Sequence, residues 1–106
     1  MYVYPSVESI SINRCVSYFL MSSFLYYEKH ENILHDNDFD FVCKRLINEW
    51  GDITHHHKHL INLDSLKAGT GYDIKYNNRI IGAANQWYKD YLEWEKNNID
   101  GLVLNT

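Results

Sequence analysis

No run of lysine and arginine occurs in this 106-residue chain, and acidic residues outnumber basic ones 14 to 10, for a formal charge of −4. That balance argues against non-specific nucleic-acid binding, which needs a basic face to displace counterions from phosphates. Long apolar runs are missing too. The most apolar stretch, 15–27, carries three serines and falls short of the ~20 residues that span a bilayer. The opening MYVYPSVES has neither a basic segment nor an uninterrupted apolar core, so no secretory signal is expected. The expected compartment is the cytoplasm. Cysteine is confined to Cys15 and Cys43, which form no Cys-x-x-Cys spacing. Each falls on the apolar stripe of a predicted helix, where a free thiol packs as a small hydrophobe. Repeats, low-complexity tracts and long linkers are absent, which leaves a single domain over 1–106.

Aromatic residues are plentiful: 15% of the chain, with nine tyrosines and three tryptophans. Asparagine, isoleucine and lysine are also frequent, and alanine is scarce. Such usage follows AT-rich coding, which many viruses and some bacteria share; for a virus-encoded chain the compartment would be the host cytoplasm.

Periodicity predicts an all-α domain. Ile12, Cys15, Val16, Phe19, Leu20, Phe24 and Tyr27 recur at helical spacing after Ser9 or Ser11, either of which can cap the helix. Tyr18, Met21, Leu25 and Tyr26 make the opposite side apolar as well, as in a central helix covered on two sides. A turn at 30–35 leads to a second stripe, Phe39, Val42, Cys43, Leu46, Ile47 and Trp50, with Asp36 as a plausible cap and Gly51 as its stop. The two helices, about 11–29 and 37–50, form an antiparallel hairpin. A short helix is expected near 55–66: Thr54 can cap a first stretch through Leu60, followed by a turn at Asn62 and another helical turn through Leu66. Tyr72, Ile74 and Tyr76 alternate with Asp73 and Lys75, the pattern of a strand or an extended connector. A long C-terminal helix, about 78–97, carries Ile80, Ile81, Ala84, Trp87, Tyr88, Tyr91 and Trp94, before a short tail.

The hairpin concentrates the chemistry. Tyr26 and Tyr27 fall in the last turn of the first helix, with Asp36, Phe39 and Asp40 in the first turn of the second. Folding the helices back brings aromatic faces and carboxylates within reach of one another. The same residues can instead serve as packing and capping groups, and Glu28, Glu31, Asp36, Asp38 and Asp40 make the tip an acidic surface. The segment resembles the N-terminal helical domain of NAD-dependent DNA ligases, which binds the nicotinamide mononucleotide half of NAD. The resemblance covers about residues 18–46 and keeps the spacing from the Tyr-Tyr pair to Asp-x-x-Phe-Asp without a gap. It implies that Tyr26 and Tyr27 flank the nicotinamide, that Asp36 and Asp40 bond its carboxamide and ribose, and that Phe39 lines the pocket. Phe39 stands where the family has tyrosine, and the family's turn proline is absent. No Lys-x-Asp-Gly follows: the only Asp-Gly is Asp100-Gly101, preceded by Asn98-Ile99. The chain alone therefore lacks the lysine of a ligase, and no enzymatic activity is expected.

Three further features carry alternatives. His55, His57 and His59 lie in a five-residue HHHKH cluster that could ligate zinc, copper or nickel if His35, Asp52, Asp64 or a partner chain completed the site; otherwise it is a polar turn. Gly69-Thr70-Gly71 can aim backbone N–H groups at an anion, although it lacks a P-loop ending. Trp87, Tyr88, Tyr91 and Trp94 form an aromatic stripe that is either core or a protein contact. Two functions follow. The first is a small non-catalytic adaptor that docks on another protein, with self-association left open. The second is a stand-alone module for NAD or nicotinamide mononucleotide.

Overall fold

The structure is a computed structural model and describes residues 2–70 and 73–104, with side chains through residue 97. Among the described residues four α-helices make up the fold: α1 (Ile12–Lys29), α2 (Asp36–Asn48), α3 (Leu63–Lys67) and α4 (Asn78–Leu104). No strand occurs among the described residues, so the expected all-α class is the observed one. Residues 74–77 connect to α4 with neither helix nor strand, while Gly71 and Tyr72 lie outside the described residues.

α1 is the central helix. Ser11 caps it, its side chain accepting the Arg14 N–H at 3.2 Å. α2 packs on one side and α4 on another, so Cys15, Val16, Phe19, Leu20, Phe24 and Leu25 are all buried. At α1's far end His30 adopts a left-handed conformation (φ 57°), and the Glu31 N–H reaches back to the Leu25 carbonyl at 2.9 Å. Ile33 and Leu34 then turn inward and are buried. Each contributes about 1.5–3 kcal/mol through burial, which pins a turn that has little hydrogen bonding of its own. α2 returns along α1, with Val42, Cys43 and Leu46 buried and Phe39 stacked on Phe19 at 5.5 Å.

Several local expectations are corrected. Asp36 is the first residue of α2 rather than its cap; His35 holds the cap position without a side-chain bond. The His35 N–H donates instead to the Tyr4 hydroxyl at 3.1 Å, and Tyr4 in turn bonds Asp38. The opening residues are thus an anchored segment. Tyr2 packs against Tyr91 and Trp94, and Pro5 and Val7 are buried. Arg45, which the stripe places beside water-facing residues, is half-buried. Its guanidinium donates to the carbonyls of Val7 (3.1 Å) and Ile10 (2.6 Å) and pairs with Glu49 at 2.9 Å.

α2 ends at Asn48, and Gly51 sits in a 3-10 turn, Trp50–Asp52, rather than in a left-handed stop. No helix runs through 55–60. His55 Nδ1 accepts the His57 N–H at 3.0 Å, closing a local turn that competes with helix. Thr54 bonds Asn13 rather than capping. A second 3-10 turn, Lys58–Leu60, precedes α3, whose N-terminus is capped by Asn62 Oδ1. α4 is capped by Asn77 through the Ile80 N–H and continues beyond residue 97 to Leu104, so most of the expected tail is helical. Its first half buries Ile80, Ala84 and Trp87 against α1, with Trp87 edge-on to Tyr18 at 5.3 Å. At 27 residues it is about 40 Å long.

Candidate functional site

Tyr26, Tyr27, Asp36, Phe39 and Asp40 line one cavity of about 340 Å³ at the mouth of the α1–α2 hairpin. The turn explains the convergence. It is short enough to set the last turn of α1 beside the first turn of α2, and the buried Ile33–Leu34 pair holds that spacing. Tyr26 and Tyr27 meet edge to face at 90°, with centroids 4.9 Å apart, and form a right-angled aromatic corner. Tyr27 is half-buried and shares a hydrogen bond with the Thr70 hydroxyl at 3.2 Å, while Tyr26 is 53% exposed. Phe39 presents one ring face to Phe19. Asp36 accepts from Asn32 Nδ2 at 3.0 Å, a contact across the turn that orients its carboxylate. Asp40 is exposed one helical turn further on.

Four more residues complete the lining: Ser22, Ser23, Asn32 and Gly69. Ser22 and Ser23 precede Tyr26 and Tyr27 by four positions, so helical spacing alone puts them on the same face. Ser23 is wholly buried and its hydroxyl makes no hydrogen bond of normal geometry, although it lies near the Tyr76 phenol, whose pKa burial pushes up and Ser23 only partly offsets. Gly69 depends on where α3 lies against the hairpin, which no local pattern announces. At Gly69 and Thr70 the backbone N–H groups are already spent on the carbonyls of Leu66 and Ser65, each at 3.0 Å, rather than on an anion. Gly71, the third residue of that turn, lies outside the described residues.

The histidine cluster behaves differently. His55, His56 and His57 crowd together, with ring centroids 4.0–5.3 Å apart. Their nitrogens turn to local partners. His55 accepts from the His57 N–H and bonds Ser17 at 3.1 Å, the Asn77 amide meets His57 Nε2 at 3.0 Å, and His59 Nδ1 donates to the His56 carbonyl at 2.8 Å. Since Asn77 Oδ1 is taken by Ile80, its amide must donate to His57, which fixes that imidazole as neutral. Burial first, and neighbouring positive charge second, pull His55 and His57 below their ordinary pKa. His55, His57 and His59 do not converge as a ligand set, and among the described residues no group of three or more His, Cys, Asp or Glu is arranged to hold a metal ion.

The aromatic stripe of α4 divides. Trp87 is core, whereas Tyr91 and Trp94 join Tyr2, Tyr4, Ile33 and His35 around a second cavity of about 340 Å³. Both cysteines are free and buried; burial first, and Asp40 second, push the Cys43 thiol up to about 12. Among the described residues no helix is long and apolar enough to cross a membrane. No protein-family model, curated protein or solved structure matches this chain.

Proposed function

We propose that the hairpin cavity is a recognition site for the nicotinamide mononucleotide portion of a pyridine nucleotide. One observation carries the reading: the five side chains singled out by the likeness to the ligase N-terminal domain line a single cavity. Its volume is at the lower end of the ~300–1,000 Å³ typical of small-molecule sites, a size that suits half a dinucleotide better than a whole one. In this reading the Tyr26–Tyr27 corner holds the flat ring by a face and an edge. Asp36 and Asp40 accept hydrogen bonds from the carboxamide and the ribose hydroxyls. Phe39, lacking the family's hydroxyl, supplies only apolar contact. Without a Lys-x-Asp-Gly nucleophile, the role is binding rather than nucleotidyl transfer.

Calorimetric titration with nicotinamide mononucleotide and NAD tests this. Saturable binding is expected, weakened about tenfold or more in Tyr26→Ala through loss of ring stacking. Absence of saturable binding at millimolar concentrations of either ligand overturns the reading.

A second reading is a non-catalytic adaptor that docks on a protein partner. It is favoured by the exposure of Leu92 (44%) and Trp94 (48%) on α4, since exposed tryptophan is a common anchor at protein interfaces. Sedimentation of the protein alone and with candidate partners tests it. Complex formation lost in Trp94→Ala supports docking; a monomer at all concentrations that captures no partner counts against it.

A further inference from the structure

We propose that the second cavity, where the N-terminal segment meets the hairpin turn and α4, is an aromatic cage for a trimethylammonium group carried by a small molecule of the choline type. The site goes beyond the nicotinamide reading: among the described residues it shares only Asn32 with the hairpin cavity.

Three observations lead to it. First, the walls are aromatic. The Tyr2 ring meets Tyr91 at 5.3 Å and 62° and Trp94 at 5.4 Å and 44°, so three ring planes of different tilt border one space. Tyr4, stacked on His35 at 4.9 Å, adds a fourth aromatic residue. Ring faces carry negative quadrupole density and attract a cation within about 6 Å of the centroid. Second, carboxylates stand behind the rings rather than among them. The Tyr4 hydroxyl donates to Asp38, and the Tyr91 hydroxyl to Glu95 at 2.6 Å. The Glu95 bond first and burial second push Tyr91 up to about 12, with Glu31 adding to the rise. A phenol that donates to a carboxylate in this way stays protonated and is polarised, which enriches its ring face. Third, the walls suit charge without N–H donors. Among the described residues the lining holds no carboxylate, lysine or arginine. A primary ammonium is strongly hydrated and brings three donors, for which the lining has no carboxylate acceptor. A trimethylammonium head has no N–H to satisfy. At about 340 Å³ the cavity is at the lower end of small-molecule sites, which suits such a head on a short chain.

Calorimetric titration at one pH and ionic strength compares choline with two relatives. One is its neutral isostere, in which a tert-butyl group replaces the trimethylammonium head; the other is ethanolamine, its primary ammonium counterpart. Choline is expected to saturate the site, and both relatives to bind about tenfold more weakly. In Trp94→Ala choline affinity falls about tenfold, and Trp94→Phe, which keeps an aromatic face, recovers part of the loss. Trp94 is half exposed, and a melting curve matching that of the parent protein shows that each variant is folded. A peptide bearing trimethyl-lysine is expected to bind no more tightly than choline. A peptide that binds tenfold or more tighter overturns the small-molecule assignment in favour of a protein partner. Equal affinity for choline and its neutral isostere, unchanged affinity in Trp94→Ala, or no saturable choline binding at millimolar concentration each overturns the cage. All of these outcomes leave the nicotinamide reading intact.

Discussion

The hairpin cavity and the histidine turn lie beside the same central helix, and they dispose of their polar atoms in opposite ways. At the hairpin, Asp36 and Tyr27 have bonds to Asn32 and Thr70, but Asp40 is exposed, Tyr26 is half open and the Ser23 hydroxyl lacks a well-formed bond. At the turn, both nitrogens of His55, the Nε2 of His57 and the Nδ1 of His59 are engaged within a few residues of chain or with α1 and the start of α4. A cluster whose hydrogen-bonding capacity is used internally holds structure together. One whose capacity faces a cavity is available to something else.

That contrast can be broken most sharply by paired substitutions. His57→Ala removes a buried ring and its bond to Asn77, so denaturant unfolding is expected to show a loss of about 2 kcal/mol with ligand affinity unchanged. Asp40→Ala should do the reverse: stability within about 0.5 kcal/mol of the parent, affinity for nicotinamide compounds reduced. Should His57→Ala abolish binding, or Asp40→Ala unfold the protein, the division of roles is wrong.

Acid should reach one region before the other. His55 and His57 have folded-state pKa values below the 6.5 of the unfolded chain, so the unfolded state binds more protons as pH falls. Their contribution is complete above pH 6.5. It declines as pH drops through 6.5 towards their lowered values, and levels off below those. Protonated His57 would no longer accept from Asn77, and His56, His59 and Arg79 add repulsion. Melting temperature should therefore fall between about pH 7 and 5, and the slope should flatten in a His55→Gln, His57→Gln variant. The smallest effect is expected at the hairpin tip. His30 is the one described non-glycine residue with positive φ, and His30→Gly relieves about 1 kcal/mol of backbone strain, raising the melting temperature without altering the histidine-dependent slope.

Much of this was legible from residue order. A helix apolar nearly all round had to be central, and α1 is. A turn of a few residues had to bring Tyr26–Tyr27 beside Asp36–Asp40, and it does. Periodicity failed at 55–60, where the backbone is settled by a single side chain, His55 on the His57 N–H, and not by a repeating apolar face, whereas the helical turn expected through Leu66 is α3, capped by Asn62. It also missed Arg45, whose partners Val7 and Ile10 lie more than thirty residues away. Gly69 joined the cavity only through the packing of α3 on α2, a tertiary fact without a local signature.

Residues 2–10 have neither helix nor strand, yet they stitch the molecule together from three sides. Tyr2 lies on the far half of α4, Tyr4 supplies an acceptor at the start of α2, and Arg45 grips the carbonyls of Val7 and Ile10. Their release would loosen two distant places at once, the α2 terminus that bears Asp36 and the α4 turn that bears Trp94. In amide hydrogen exchange those two places should open as one cooperative unit, ahead of the buried middle of α1.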